Sequence, residues 1–258
     1  MPKDNLKIGV ITANYNQGSF FKDCLFGIMS QTRKPDYYVV IDDGSTDFSW
    51  EFITGSFYDQ ELLNLSNTKS MHEFTWQGVN FLLLQMPKNT GPSNVRNIAL
   101  KALDEKVDVI AIADADDIYY PEKIEKSVEL MKRYPEVALV YTDYDIEDIN
   151  TGVVKREFKE PFSYKRLFEE CIVSNNSVFA MQAARQVGGY DPSLRYGEDY
   201  DLWLRIADIG SLYHIPESLY KYRLTGRNVT VTTPPEKFAE HVNRVHQKAL
   251  ERRSRRGS

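Results

Sequence analysis

The sequence is poor in cysteine. Its 258 residues include two cysteines, Cys24 and Cys171, and both lie in apolar surroundings typical of a helix or a strand. Two cysteines cannot build the disulfide framework of a small secreted domain. We therefore expect two buried free thiols in a reducing compartment.

Long apolar runs are also missing. No stretch of about 20 apolar residues occurs, so no transmembrane helix is predicted, and the first ten residues, MPKDNLKIGV, lack the apolar core of a secretory signal. We expect a cytoplasmic protein, in which the glycosylation triplets Asn175-Asn176-Ser177 and Asn228-Val229-Thr230 are chance matches. The basic tail Glu251–Ser258 is expected to be a solvated end; the alternative is peripheral contact with the anionic inner face of a membrane.

An excess of positive charge is absent as well. The chain has 32 Lys and Arg against 37 Asp and Glu, a formal net charge of −5. Binding to a phosphate backbone requires a basic face, so nucleic acid is not an expected partner. A nucleotide remains possible as a small ligand.

Short apolar runs alternate with helical patterns through the first half of the chain. This alternation predicts an α/β fold with a mostly parallel, doubly wound sheet and helices on both faces. A hairpin is expected around Asn150-Thr151-Gly152, and residues 55–78 have no clear period and are predicted to be irregular. The predicted strands of the first half are Leu6–Thr12, Tyr37–Ile41, Val79–Met86, Val107–Ala113 and Val137–Thr142.

Two of these strands end in clusters of acidic residues. Asp42 and Asp43 follow one strand, and Asp114, Asp116 and Asp117 follow another. Ligands of open α/β sheets bind at the carboxyl ends of strands, where these carboxylates would repel one another. A Mg²⁺ or Mn²⁺ ion bound to a diphosphate would relieve that repulsion, because such ions combine one or two carboxylates with substrate phosphates.

Each acidic motif also has a purely structural interpretation. Asp42-Asp43-Gly44-Ser45 makes a good turn and helix cap. Glu198 and Asp199 suit the start of a helix, where acidic side chains favour the helix dipole. Their functional interpretation is a general base presented on a rigid helix.

Taken in order along the chain, these motifs resemble inverting nucleotide-sugar glycosyltransferases of the GT-A type, in glycosyltransferase family 2. The resemblance runs from about Leu6 to about Thr230. The motifs that carry it are Asn14-Tyr15-Asn16, Ser30-Gln31-Thr32, Asp42-Asp43-Gly44-Ser45-Thr46-Asp47, Asn89-Thr90-Gly91 with Arg96-Asn97, Asp114-Ala115-Asp116, Gly188-Gly189-Tyr190-Asp191, Glu198-Asp199 and Tyr222-Arg223.

The resemblance implies a donor site for a nucleotide-diphosphate sugar, with a UDP-sugar favoured. Asp43 should accept a hydrogen bond from the base, and the backbone around Ala13 and Asn14 should line the base pocket. Arg96 should assist nucleotide or diphosphate binding.

The same resemblance implies a metal and a catalytic base. Asp114 should face the ribose or a metal-bound water, and Asp116 should ligate Mn²⁺ or Mg²⁺ directly. Asp199 should deprotonate the acceptor hydroxyl of a saccharide or a lipid-linked sugar, with Glu198 as its neighbour. The expected organisation is a single domain over residues 1–258. Residues 1–117 form its nucleotide-sugar half, residues 118–230 its acceptor half, and residues 231–258 its C-terminal helix and basic tail.

One position departs from the family pattern. Many relatives have a histidine after the Tyr-Arg pair, and Thr225 stands near that place here. A third protein ligand for the metal is therefore in doubt, and Arg223 or Arg227 is the alternative partner for the diphosphate. His214, the nearest histidine, is interpreted as structural.

Two rival functions follow from the same residues. A metal-dependent phosphohydrolase also uses an Asp-x-Asp motif, but usually after its first strand, which here ends without a carboxylate. A non-catalytic nucleotide-sugar binder would keep the fold and lose turnover, although the key carboxylates are present.

Overall fold

A computed structural model of the chain describes residues 5–57 and 70–256. The strands of this part of the chain form one mixed sheet. In chain order they are β1 (Ile8–Asn14), β2 (Tyr37–Asp42), β3 (Met71–Trp76), β4 (Val79–Gln85), β5 (Val109–Ile112), β6 (Ile118–Tyr119), β7 (Val137–Asp148), β8 (Val154–Glu157), β9 (Val178–Ala180) and β10 (Ser211–Leu224).

The sheet has the order β3-β4-β2-β1-β5-β9-β7-β10-β6, with β8 paired to β7. Strands β4, β2, β1 and β5 are parallel neighbours, and β7 and β10 form a second parallel pair. The short strand β9 lies antiparallel between β5 and β7 and joins the two groups. The larger parallel strands therefore all end at the same edge of the sheet.

Helices cover both faces of this sheet. The helices of the described residues are α1 (Gly18–Met29), α2 (Ser49–Thr54), α3 (Pro92–Leu103), α4 (Lys123–Arg133), α5 (Tyr164–Glu169), α6 (Met181–Val187), α7 (Glu198–Ala207), α8 (Val229–Thr232) and α9 (Pro235–Arg256).

Two hydrophobic clusters, one on each face, hold these layers together. On one face α1, α2 and α4 contribute buried residues such as Phe21, Trp50 and Val128. On the other face α3 and α7 contribute Val95 and Trp203, packed with residues of α5, α6 and α9. Because the sheet is apolar on both faces, its strands appear in the sequence as continuous apolar runs. The predicted α/β fold class with helices on both faces is confirmed.

The region predicted to be irregular contains a strand. Of residues 55–78, positions 58–69 lie outside the described residues, but β3 pairs antiparallel with β4 at the edge of the sheet. Its polar composition concealed it, because Met71 and Glu73 are exposed whereas Phe74 and Trp76 pack against Phe81. An edge strand buries one face only, so its apolar residues are sparse.

Three further features bear on the predictions made from the sequence. Cys24 and Cys171 are free thiols, Cys24 buried and Cys171 partly buried. Among the described helices, none combines the length and the apolar character needed to cross a bilayer. The predicted hairpin is present, with Gly152 at φ +70° in the turn between β7 and β8.

Candidate active site

Strand β1 lies between β2 and β5 and is parallel to both, so the acidic ends of β2 and β5 flank the end of β1. Asp42 is the last residue of β2, Asn14 is the last residue of β1, and Asp114 follows β5 by two residues. The apolar core of each strand ends at this edge, which leaves the polar residues that follow free to form loops. This edge is the place that the sequence predicted for the ligand.

Asp43 anchors the loop that leads into α3. Its Oδ1 accepts hydrogen bonds from the backbone N–H and the hydroxyl of Thr90, at 2.8 and 2.9 Å, and its Oδ2 accepts one from the N–H of Gly91, at 2.8 Å. A carboxylate offers about four acceptor positions, so one remains on Oδ2 for a further donor. The predicted hydrogen bond to a base is compatible with that remaining position.

The turn after Asp43 is held by Asp42, which is fully buried. Asp42 accepts hydrogen bonds from the N–H of Ser45 at 3.2 Å and from its hydroxyl. Gly44 has φ +65°, and a Cβ at this position would clash with the backbone of Lys88. The glycine is thus required both by the backbone conformation and by the close approach of a second loop.

Asn14 and Ala13 hold the strand ends together. The Asn14 side chain donates to Asp42 Oδ1 at 2.7 Å, and the backbone carbonyl of Asn14 accepts the N–H of Asp43 at 2.8 Å. The residue is only 2% exposed. Ala13 is partly buried and lies opposite Ile41 in the sheet. Asn14 thus positions Asp43, which is consistent with a role in shaping the expected base pocket.

The second acidic group comprises Asp114, Asp116 and Asp117, which are called the acidic cluster below. Each of its three carboxylates accepts one hydrogen bond from the side-chain amide of an asparagine, a neutral donor. The pairs are Asn175 with Asp114 at 2.8 Å, Asn228 with Asp116 at 3.0 Å, and Asn176 with Asp117 at 2.5 Å.

Burial and mutual repulsion strain the charges of the acidic cluster. Burial, and then the negative charge of Asp114, raise the pKa of Asp116 from 3.8 to about 7. Burial, followed by the charges of Asp116 and Asp114, raises the pKa of Asp117 well above its usual value. Carboxylates in this situation gain stability from an added cation.

Arg96 joins the acidic cluster to the start of α7. Its guanidinium donates to Asp114 at 2.9 Å, to Glu198 at 2.7 Å and to Asp199 at 3.1 Å, and its side chain is 6% exposed. The ring of Tyr190 lies 5.4 Å from the guanidinium carbon. Asp114, Glu198 and Asp199 therefore share one buried cation. Arg96 lies on α3, and the loop before α3 also binds Asp43.

Besides its predicted role in binding nucleotide or diphosphate, Arg96 thus has a structural role that the sequence did not indicate, which is to hold three carboxylates together. Its two terminal nitrogens already pair with three carboxylates.

Glu198 and Asp199 differ in how strongly they hold Arg96. Glu198 makes the shorter contact and its side chain is 11% exposed, whereas Asp199 makes the longer contact and is 20% exposed. Burial raises the pKa of Asp199 to about 8, although the charge of Arg96 opposes this shift. A base is most effective when its pKa lies near the working pH. Of the two, Asp199 is the better placed to accept a proton.

The two arginines considered for the diphosphate have different surroundings. Arg223 is 5% exposed, pairs with Asp23 at 2.6 Å and donates to the carbonyl oxygens of Phe20 and Asp116. Arg227 is exposed, and the contact found for its side chain is a long hydrogen bond to the carbonyl of Asn16, at 3.3 Å. Arg223 is therefore committed to the protein, and Arg227 is the better candidate for an incoming anion.

Sequence reasoning missed the asparagines of the acidic cluster. Asn175 and Asn228 each begin a glycosylation triplet that was set aside as a chance match, and Asn176 is the second residue of the first triplet. Asn176 and Asn228 are buried, at 0% and 5% exposure. The available signal was the polar pair Asn175-Asn176, which lies just before the apolar strand β9.

The donors at the acidic cluster fit a divalent cation completed by a substrate. Among residues 5–57 and 70–256, no group of three or more His, Cys, Asp or Glu side chains is arranged to hold a metal ion. Mg²⁺ usually takes one or two carboxylates and completes its shell with phosphate and water, and Mn²⁺ shares this preference for oxygen. Asp114 and Asp116 can supply these carboxylates, and their amide partners leave the negative charge in place.

The sequence profile of the family described as glycosyl transferase family 2 matches residues 9–186, which is more than half of the chain. The chain belongs to glycosyl transferase family 2. The resemblance predicted from the motifs is thereby confirmed.

Individual family 2 relatives are distant. An uncharacterized glycosyltransferase of Rickettsia conorii is 26% identical over 239 residues, covering 90% of this chain and 35% of the relative. The chain thus spans about a third of the length of that protein.

Solved structures share the fold at low sequence identity. TarS of S. aureus in complex with UDP-GlcNAc has a TM-score of 0.70 and 18% identity, over 95% of this chain and 66% of the TarS chain. The mannosyltransferase PcManGT of Pyrobaculum calidifontis, in complex with GDP-Man and Mn²⁺, has a TM-score of 0.62 and 15% identity, over 100% and 77% of the two chains. The GT-A fold expected for a family 2 member is confirmed.

Proposed function

We propose that this chain transfers a sugar from a nucleotide-diphosphate sugar to an acceptor hydroxyl, with inversion at the anomeric carbon. The observation that carries this proposal is the position of Arg96, which holds Asp114 at 2.9 Å and Asp199 at 3.1 Å. The proposed donor-binding acid and the proposed acceptor base thus contact the same guanidinium. The nucleotide sugars bound to TarS and PcManGT support the donor class, and a UDP-sugar is the first to test.

In the proposed reaction Asp199 takes the proton of the acceptor hydroxyl. The acceptor oxygen then bonds to the anomeric carbon as the bond from that carbon to the diphosphate oxygen breaks on the opposite side. Glu198 keeps Arg96 in place, and Asp43 accepts a hydrogen bond from the base. Mn²⁺ or Mg²⁺, held by Asp116 with Asp114, would supply charge neutralisation on the leaving diphosphate.

The proposed division of labour follows these contacts. Residues 1–117 carry Asp43 and the acidic cluster and serve the donor, whereas residues 118–230 carry Glu198 and Asp199 and serve the acceptor. The acceptor is a saccharide or a lipid-linked sugar. Arg227, exposed beside the loop that carries Asn16, is proposed to contact the diphosphate.

The test is a screen of nucleotide sugars and acceptors with Mn²⁺, reading the release of nucleoside diphosphate. Asp199→Asn should lower the transfer rate by ~10²–10⁴-fold, the usual contribution of a general base. Binding of UDP with Mn²⁺, measured by calorimetry, should stay close to that of the unsubstituted chain. Asp104→Asn is the control, because Asp104 is exposed and pairs with Arg185 at the surface. Transfer at the normal rate by Asp199→Asn would contradict the assignment of the base.

A further inference from the structure

Asn228 lies between β10 and α8 and reaches across to the acidic cluster. Its side-chain nitrogen donates to Asp116 Oδ2 at 3.0 Å and to the carbonyl of Arg223 at 2.8 Å. The residue is 5% exposed. It thus connects the end of β10 to the proposed metal ligand, which is 112 residues away in the sequence.

The oxygen of the same amide is also fully used. Oδ1 accepts hydrogen bonds from the backbone N–H and the hydroxyl of Thr225, at 2.7 and 3.2 Å. All four hydrogen-bonding positions of the amide are therefore occupied. The reversed orientation would place Oδ1 against the carboxylate of Asp116 and the nitrogen against the N–H of Thr225. The network therefore assigns a single orientation to the amide.

The contact between Asn228 and Asp116 does not pair the carboxylate with a positive charge, because an amide is neutral. A guanidinium is close by, but Arg223 donates to the backbone carbonyl of Asp116 and pairs with Asp23 instead. Asn228 orients the carboxylate through a neutral donor to Oδ2. A carboxylate held in one orientation by an uncharged partner is suited to ligate a divalent cation.

We propose that Asn228 is a positioning residue that orients the Asp116 carboxylate for the divalent cation and docks the 225–228 loop on the acidic cluster. This inference rests on the proposed function. In this inference Asn228 acts through Asp116 and does not itself bind the metal.

The test compares Asn228→Ala with Thr225→Val by titrating Mn²⁺ in the presence of UDP and following free Mn²⁺ by electron paramagnetic resonance. Loss of a hydrogen-bond partner of a metal ligand typically costs 10–100-fold in metal affinity, so Asn228→Ala should bind Mn²⁺ roughly 10–100-fold more weakly. Thr225→Val removes a hydroxyl that contacts Asn228, Gln17 and the N–H of Arg227, and it leaves the contact between Asn228 and Asp116. It should retain the affinity of the unsubstituted chain.

Thermal unfolding checks that each variant is folded, and Asn228→Ser serves if the alanine variant is not, because a serine hydroxyl is too short to reach Asp116. Unchanged Mn²⁺ affinity in a folded Asn228 variant would overturn this inference and leave the proposed function intact. An equal loss of Mn²⁺ affinity in Thr225→Val would also overturn it, because the loss would then come from a general effect on the loop. If the unsubstituted chain binds UDP equally well with EDTA and with Mn²⁺, the metal-assisted function and this inference both fail.

Discussion

The two acidic strand ends satisfy their carboxylates in different ways. At the end of β2, Asp43 accepts three hydrogen bonds from the loop that contains Thr90 and Gly91. At the end of β5, each carboxylate of the acidic cluster accepts one asparagine amide, and burial together with the neighbouring acids raises the pKa values of Asp116 and Asp117. Asp43 at the end of β2 anchors a loop and has one acceptor position left for a further donor. The acidic cluster retains unbalanced negative charge, the property that a cation site requires.

Removing Arg96 should have the largest effect, because the acidic cluster depends on it and the β2 end does not. Arg96→Met would leave Asp114, Glu198 and Asp199 without their shared cation in a buried setting. Breaking a buried ion pair from one side costs about 3–5 kcal/mol, so the free energy of unfolding in urea should fall by that amount.

The control for this variant is an arginine in a surface ion pair. Arg185→Met removes the partner of Asp104, where both side chains are about half exposed, at 53% and 45%. Such pairs contribute about 0–1 kcal/mol. If the two variants lose the same free energy, Arg96 does not have the central role that its contacts indicate.

Neutralising one acid in each group should change stability in opposite directions. Asp43→Asn places an amide nitrogen against an N–H of the Thr90–Gly91 loop, which should lower the free energy of unfolding by about 1–3 kcal/mol. Asp116→Asn removes one of three crowded charges, and at pH 8 without metal it should raise that free energy by on the order of 1 kcal/mol. Urea unfolding in EDTA measures both variants. A loss of stability in both would remove the distinction between the groups.

The sequence predicted the acidic ends because each is a local pattern, an apolar strand followed directly by carboxylates. The parallel sheet then brings the ends together, which a pattern of alternating strands and helices already indicates. The amide partners were not predictable in this way. Asn176 lies 59 residues from Asp117 and Asn228 lies 112 residues from Asp116, and an isolated asparagine has no period that marks it as buried.

Arg96 illustrates the same limit from the side of charge. Its position after Asn89-Thr90-Gly91 indicated a binding role, but its contacts with Glu198 and Asp199 span more than 100 residues and depend on how α7 packs beside α3. Residues 177–180 are predictable as a strand, but the place of β9 between β5 and β7 is not, since three residues are too few for a pattern to specify their neighbours.

The last expected effect is a dependence of stability on pH that comes from the acidic cluster. The pKa of Asp116 rises from 3.8 to about 7 on folding, so between these values the folded chain binds more protons than the unfolded chain. Its contribution to the free energy of unfolding is therefore complete below pH 3.8 and is lost as the pH rises to about 7, with a slope of at most about 1.4 kcal/mol per pH unit.

Thermal unfolding in EDTA from pH 4 to pH 8 measures this slope, and Asp116→Asn should reduce it because the substituted side chain does not titrate. Mn²⁺ with UDP should reduce it too, since a bound cation favours the ionised carboxylate and lowers its pKa. If the slope in Asp116→Asn equals that of the unsubstituted chain, the strained charge does not lie at the end of β5, and the contrast between the two groups fails.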